Sequence, residues 1–212
     1  MRIIIFLIAV GVTAAYGQTS KGNLMVGGSM SFQSSKPHDS DNTAVLIASE
    51  PTKAFTFSPN VGYFILDNWV AGISSAVTFG KSEYESGATS QISTSLTGIF
   101  TRYYFRFGKF GAFPEISYRR GKTKVEYYQP PVNGISFFPD GNTFKADANV
   151  GNAKMAVGLA WFIANNVSLE GTVSYSSTYS EWNGSGNTVA ATGVNLALQF
   201  FIPTKKSKDS SN

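Results

Sequence analysis

The sequence predicts an all-β protein, an eight-stranded antiparallel up-and-down transmembrane β-barrel. Apolar residues alternate with small or polar ones at a period of two along most of the chain, as they do in β-strands. One face of these strands is aliphatic and the other is small and polar, which suits a barrel with lipid outside. The connections alternate between long and short, which is typical of a barrel with turns on one rim and loops on the other.

The segment from Met155 to Tyr175 shows this inverted pattern most clearly. Odd-numbered residues form the apolar face on both sides of Ala164-Asn165-Asn166, and even-numbered residues form the small and polar face. We predict that these three residues close a hairpin, with Asn available for a left-handed conformation, so that Ile163 lies opposite Val167.

Residues 1–17 are predicted to be an export signal. One Arg precedes an apolar run, and small residues lead to a cleavage position between Gly17 and Gln18. A membrane anchor is the alternative, but the run is shorter than the roughly 20 residues that a spanning helix needs. The chain has no cysteine, which excludes disulfides and a lipoprotein cleavage site.

Residues 18–203 have the composition of one barrel domain, and residues 204–212 form a polar tail that we expect to be disordered. Removal of Arg2 would leave 16 of the 17 basic residues against 13 acidic ones. This balance is too weak and too scattered for nucleic-acid binding. Aromatic residues make up 14% and charged residues only 14%, with 21 glycines, which fits many strands and a large surface that does not meet water.

The eight predicted strands are joined alternately by long loops and short turns. The strands cover residues 24–32, 55–63, 69–79, 92–107, 112–121, 154–163, 167–175 and 194–202, and the loops residues 34–53, 80–91, 122–147 and a stretch through 182–186. The short turn at residues 66–68 resembles the one at 164–166, so both hairpins should use the same turn type. This plan puts both termini on the periplasmic side.

The hairpin between the fourth and fifth strands predicts an ion pair inside the barrel. A type II′ turn with Gly108 at its first central position sets Phe107 opposite Phe110, and Arg102 opposite Glu115 on the inner face. An eight-stranded barrel is about wide enough for side chains to fill, so we expect inward charges to form a plug rather than a conduit. These inward charges are Arg102, Glu115, Arg119, Lys154 and Glu170.

The fourth strand alternates less cleanly than the others. Its phase turns Leu96 and Phe100 inward, although Ser95 and Thr97 are the more typical interior residues. A bulge between Gly98 and Arg102 would reconcile the two halves of the strand.

Aromatic residues cluster beside the short turns and on the last strand. In a closed barrel they fall at one height and form a girdle at the lipid headgroups on the periplasmic side. The girdle comprises Tyr63, Trp69, Tyr103, Phe105, Phe107, Phe110, Trp161 and Phe200, together with their neighbours Phe64, Tyr104, Phe162 and Phe201.

Several of these residues also carry a resemblance to a known family. Pro59-Asn60-Val61-Gly62-Tyr63-Phe64, Asp67-Asn68-Trp69, Gly72 and Arg102-Tyr103-Tyr104-Phe105 resemble the second-to-fourth-strand signature of small outer-membrane barrels of Bacteroidetes-type bacteria, which are related in architecture to OmpA, OmpX and OmpW. The resemblance spans residues 22–202. It implies a bacterial outer-membrane location and this fold, and little about activity. The chain departs from many such proteins by continuing past its last strand.

Three functions are compatible with this sequence. A structural or adhesive barrel, or one that stabilises the envelope, would expose long loops carrying Tyr127, Tyr128, Phe137, Phe138 and Trp182. An OmpW-like channel would pass small or apolar molecules. An enzyme acting on lipid would use His38 with nearby Ser and Asp, but no spacing fixes a nucleophile beside a base, so we do not expect catalysis.

We expect no cofactor and no metal, because neither paired metal-ligand spacing nor a phosphate-binding glycine motif is present. The expected partners are outer-membrane lipid and the barrel assembly machinery, with no nucleic acid. The chain is expected to be a monomer, and the sequence does not identify an extracellular ligand.

Overall fold

A computed structural model describes residues 18–35, 52–83, 87–130, 142–182 and 185–204. The strands are β1 Leu24–Ser35, β2 Thr52–Leu66, β3 Trp69–Glu83, β4 Thr89–Tyr103, β5 Phe105–Phe107, β6 Phe110–Gln129, β7 Asn142–Ala164, β8 Val167–Trp182 and β9 Ser185–Ile202. In this described part of the chain, no helix has the length and apolarity needed to cross a bilayer.

The strands form one antiparallel sheet that closes on itself. β1 pairs with both β2 and β9, the other strands pair with their sequence neighbours, and β4 pairs with β6. From Met30, the paired residues can be followed strand by strand around the sheet to Gly186 on β9. Met30 itself pairs with Leu196, which lies ten residues further along β9. Such a stagger means that the strands tilt, as in closed barrels with tilts of about 35–45°. The predicted fold class is confirmed.

The two faces of the sheet are inverted relative to a soluble protein, as predicted. Leu159 and Val173 are 71% and 57% exposed on the outside of the barrel. Ser174 and Gln199 are buried inside it, and Gln199 is fully enclosed. The outer surface is therefore a continuous apolar belt, while the interior is polar over much of its length.

The fourth predicted strand is interrupted, but the predicted bulge between Gly98 and Arg102 is wrong. β4 pairs without a register shift from Thr89 to Arg102, and Leu96 and Phe100 are buried inside. β5 continues the same register, with Phe105 opposite Ala112. The break falls where Pro114 would face Tyr103, and proline has no N–H to donate to the ladder.

The short turns differ from prediction in one detail. Ala164, not Ile163, pairs with Val167, because Asn165 and Asn166 form a two-residue turn beside a bulge between Phe162 and Ala164. The hairpin at Asp67-Asn68 also has a two-residue turn beside a bulge, here between Phe64 and Leu66. The two hairpins share this length and bulge but not the turn type, since only Asn68 has a positive φ.

Two of the three short turns contain a residue with a positive φ. Asn68 has a φ of 64°, while neither Asn165 nor Asn166 has a positive φ, so the predicted left-handed Asn is wrong for the hairpin at residues 164–166. Gly108 has a φ of 61°, and Phe107 pairs with Phe110, as the type II′ turn predicts.

Most predicted loops are too long because the strands continue above the apolar belt. β6 and β7 pair over twenty consecutive positions up to Gln129 and Asn142, within the predicted loop 122–147, so Tyr127 and Tyr128 belong to a strand. β8 and β9 pair up to Trp182 and Ser185, and β3 and β4 extend to Glu83 and Thr89. An ion pair of 2.8 Å between Lys145 and Glu126 joins β6 and β7 on their outer face. The outward residues of the β6 and β7 extensions are mostly charged or polar, among them Lys124, Glu126 and Lys145.

Candidate functional site

The barrel interior contains all five charged residues that the alternation pattern places there. Arg102 is the centre of this network. Its Nη2 and Nε atoms donate to Glu115 Oε2 at 2.5 and 3.1 Å, as the predicted register requires, and its Nη1 donates to Glu170 Oε2 at 2.6 Å. Its guanidinium carbon lies 4.2 Å from the centroid of the Phe113 ring. One cation therefore holds two carboxylates from β6 and β8, across the barrel axis.

Tyr104 is part of the network that the sequence analysis missed. Its hydroxyl donates to Glu170 Oε1 at 2.7 Å and accepts from Arg102 Nη1 at 2.7 Å. Ser168 donates a further hydrogen bond of 3.1 Å to Glu170 Oε1. Since Tyr104 follows Arg102 by two residues along the predicted strand 92–107, alternation alone could have identified it as an inner residue.

The other two cations are arranged differently. Lys154 Nζ forms an ion pair of 2.8 Å with the second oxygen of Glu115. Arg119 Nε donates to Ser74 Oγ at 2.9 Å, and no carboxylate of the described residues lies within ion-pair distance of Arg119. The interior network thus holds three cations and two carboxylates, which leaves one net positive charge.

A cavity of about 20 Å³ lies against this network and is lined by Asn60, Arg119, Lys154 and Gln199 among others. Such a volume is enough for about one water molecule. Asn60 Oδ1 and both amide atoms of Gln199 are buried without a hydrogen-bond partner in the protein. The cavity is therefore polar and narrow, and an internal water would satisfy these atoms.

An aromatic layer lies between the charged network and the short turns. The girdle assignment of Phe64, Tyr104, Phe162 and Phe201 is wrong, because all four point into the barrel. The Tyr104 ring lies 6.2 Å from those of Phe64 and Phe162, and the Phe162 and Phe201 centroids are 5.6 Å apart. These rings were assigned to the girdle because they lie beside the short turns or on the last strand.

The first described residues cover the interior at the short-turn end. Gln18 and Thr19 are buried, and Gln18 Nε2 donates to the Ala164 carbonyl at 2.7 Å. The Asn68 N–H donates to the Thr19 carbonyl at 2.6 Å. The Arg106 guanidinium stacks on an inner aromatic ring and donates to Gln18 Oε1 at 3.2 Å. The predicted cleavage between Gly17 and Gln18 stays a prediction, since residues 1–17 lie outside the described part of the chain.

The eight other girdle residues lie on the outer surface beside the short turns. Phe110 and Trp161 stack across β6 and β7 with centroids 6.4 Å apart, and Tyr103 and Phe105 contact edge to face at 5.0 Å. Trp69 Nε1 donates to Thr101 Oγ1 at 2.7 Å. Also exposed are Tyr63, Phe107 and Phe200.

The interior holds a hydrogen-bonded charge network of Arg102, Glu115 and Glu170. Within the described residues, no three His, Asp or Glu side chains are grouped closely enough to bind a metal ion. His38, Phe137 and Phe138 lie outside the residues that the structure describes.

A closed antiparallel sheet with an apolar exterior and a filled, charged interior defines a β-barrel of the outer-membrane type. No family model and no curated protein matches the chain. Among solved structures, it is similar to a major outer membrane protein from Thermus thermophilus, with 11% identity, coverage of 85% of this chain and 99% of that chain, and a TM-score of 0.51.

Two further solved barrels match over similar lengths. Neisserial surface protein A is 12% identical, with 85% of this chain and 97% of that chain covered and a TM-score of 0.43. The N-terminal β-barrel domain of Pseudomonas aeruginosa OprF is 13% identical, with 86% and 98% covered and a TM-score of 0.35. The likeness to the Thermus protein shows the fold. The resemblance to barrels of Bacteroidetes-type bacteria stays a prediction.

Proposed function

We propose that this protein is an integral barrel of the bacterial outer membrane with a closed interior and a structural or adhesive role. The main support for this proposal is the combination of an apolar exterior with an interior that is filled at two levels. The Arg102–Glu115–Glu170 network fills one level and the inner aromatic layer fills the next. Such a protein acts through its outer surface and loops rather than through its interior.

Physical chemistry supports the membrane location. Side chains such as Leu159, Val173 and Leu196 would expose a very large apolar surface to water in a soluble protein. The outward aromatic residues beside the short turns suit one headgroup layer of a bilayer. In this proposal both termini are periplasmic, the chain is a monomer without enzymatic activity, and its partners are outer-membrane lipid and the barrel assembly machinery.

Ion conductance tests the closed interior. The purified protein would be inserted into planar bilayers, and a large porin would serve as the control for insertion and sensitivity. We expect no current above the leak of the bilayer, because the lumen near Arg102 leaves a cavity of only about 20 Å³. A sustained single-channel current would contradict the plug and favour the alternative, an OmpW-like passive channel.

Surface labelling tests the orientation. A peptide tag between β8 and β9 should be accessible to antibody on intact cells, whereas a tag after residue 212 should be accessible only after the outer membrane is permeabilised. The reverse pattern would place the termini outside. Deletion of the gene should weaken cell adhesion or raise detergent sensitivity, and a strain unchanged in both respects would contradict the structural or adhesive role.

A further inference from the structure

A second recess lies on the outside of the barrel, across β6, β7 and β8. It has a volume of about 560 Å³, far larger than the interior cavity. Three rows of paired residues form it. In each row the β6 residue belongs to one wall, the β7 residue to the floor and the β8 residue to the opposite wall. The rows are Tyr118–Ala153–Ser177, Arg120–Gly151–Tyr179 and Lys122–Asn149–Glu181.

The recess exists because small residues form its floor. Gly151 and Ala153 on β7 lie between the larger side chains of β6 and β8, and a Cβ at position 151 would lie 3.4 Å from the Tyr118 hydroxyl. Tyr118 and Tyr179 are each about half exposed. The groove thus runs along β7 between two tyrosines, and its lower end continues onto the apolar belt at Met155.

The height of the groove matches the outer edge of the apolar belt. Arg120 lies ten residues along β6 from Phe110. At about 3.3 Å per residue and a tilt of about 40°, this distance is roughly 25 Å along the barrel axis, which is the height of the apolar band in such barrels. Arg120 and Lys122 therefore lie where lipid headgroups begin if Phe110 lies at the opposite interface.

The two basic side chains of the groove have no charged partner in the part of the chain that the structure describes. Among the described residues, Arg120 and Lys122 form no ion pair and no side-chain hydrogen bond. By contrast, the exposed Lys81 and Lys145 pair with Glu83 and Glu126. Glu181 on the far wall is the one acidic side chain lining the groove, so the recess keeps a net positive charge.

We propose that this groove binds the phosphorylated headgroup of an anionic membrane lipid in the leaflet on the long-loop side. Arg120 and Lys122 bind the phosphate oxygens, and the floor at Gly151 and Ala153 accepts the part of the lipid next to the headgroup. Arginine suits phosphate because its guanidinium donates two parallel hydrogen bonds. The inference rests on the proposed membrane location and adds a lipid class to it.

Spin-labelled lipids in nanodiscs test this site. The probes are phosphatidic acid and phosphatidylcholine with the same labelled chain, and electron paramagnetic resonance measures their relative association with the barrel. A basic side chain near a membrane surface contributes about 1 kcal/mol, or roughly five-fold in affinity, so Arg120→Gln/Lys122→Gln should lose most of the preference for phosphatidic acid. Gly151→Leu should also reduce it by filling the floor, without a change of charge.

Lys53→Gln/Lys81→Gln removes the same charge from β2 and β3 and should keep the preference. Equal losses in both double variants, or an unchanged preference in Arg120→Gln/Lys122→Gln, would overturn the groove as the site. Displacement of phosphatidic acid by inorganic phosphate would overturn the lipid in favour of free phosphate. If even phosphatidylcholine shows no motionally restricted fraction, the membrane location itself fails, whereas a restricted fraction without preference contradicts only the groove.

Discussion

Replacement of Arg102 by Met should strongly destabilise the barrel. The substitution keeps much of the side-chain volume but removes the hydrogen-bonded ion pairs to Glu115 and Glu170, at 2.5 and 2.6 Å, and the contact with the Phe113 ring. Glu115 retains Lys154 at 2.8 Å, whereas Glu170 retains only the neutral donors Tyr104 and Ser168. The variant therefore leaves one fully buried carboxylate without a cation.

The size of the effect follows from burial. Removing one partner of a buried ion pair costs about 3–5 kcal/mol, because the remaining charge is neither solvated nor neutralised. The matched control is Lys81→Met, which removes an ion pair of 2.6 Å to Glu83 whose side chains are 55% and 70% exposed. Exposed pairs contribute at most about 1 kcal/mol, so the control should change the unfolding free energy little.

Urea unfolding in phospholipid vesicles, followed by tryptophan fluorescence, measures both variants. A double variant, Arg102→Met/Glu170→Leu, removes the unpaired carboxylate as well and leaves the Glu115–Lys154 pair intact. It should recover about 1–3 kcal/mol relative to Arg102→Met alone. Two results would refute the buried network as a stabilising plug. One is a loss of unfolding free energy in Arg102→Met that is no larger than in Lys81→Met. The other is that the effects of Arg102→Met and Glu170→Leu simply add in the double variant.

Five further substitutions, two of them controls, test the sheet by the same unfolding assay. Gly98→Val should destabilise by about 1–3 kcal/mol or more, because its Cβ would meet the Tyr118 carbonyl, while Gly171→Val on the open outer face should be nearly neutral. Val157→Arg should cost about 2–4 kcal/mol if the outer face meets lipid, and nothing if it meets water. Asn68→Ala should cost about 1 kcal/mol through its left-handed φ, whereas Asn166→Ala should cost less.

The interior ion pair could be predicted because two independent constraints agree. The alternation pattern fixes which residues face inward, and the two-residue turn at Gly108 fixes which of them lie opposite each other. Together they determine the Arg102–Glu115 contact. The link to Glu170 could not be predicted in the same way, because it crosses the lumen between strands that are not paired.

The position of Ile163 shows where alternation carries too little information. A three-residue loop has the same effect on alternation as a two-residue turn with a one-residue bulge, because each takes up three residues between the regularly alternating parts of the two strands. Both leave odd-numbered residues outward before and after the turn, as observed for Ile163 and Leu169. Only the backbone pairing of Ala164 with Val167 distinguishes the two arrangements.

The lengths of β6 and β7 could not be predicted from hydropathy for a different reason. Above the belt, outward residues such as Lys124 and Glu126 are exposed and charged, so the outer face is no longer apolar. The inner face there includes Val125, so the difference in hydropathy between the inner and outer faces is reversed or lost. The strands continue because their backbone groups still pair, and pairing leaves no hydropathy signal.

The aromatic doublets link the exterior and interior of the barrel. Tyr63-Phe64, Tyr103-Tyr104, Trp161-Phe162 and Phe200-Phe201 each place one ring outside and the next inside, because adjacent residues of a strand face opposite ways. The exposed rings of the outer girdle thus lie at the same height as the rings that fill the interior. Tyr104 extends this relation, since its hydroxyl contacts Glu170 and its ring contacts the aromatic layer. A change in one doublet should therefore affect both membrane position and interior packing.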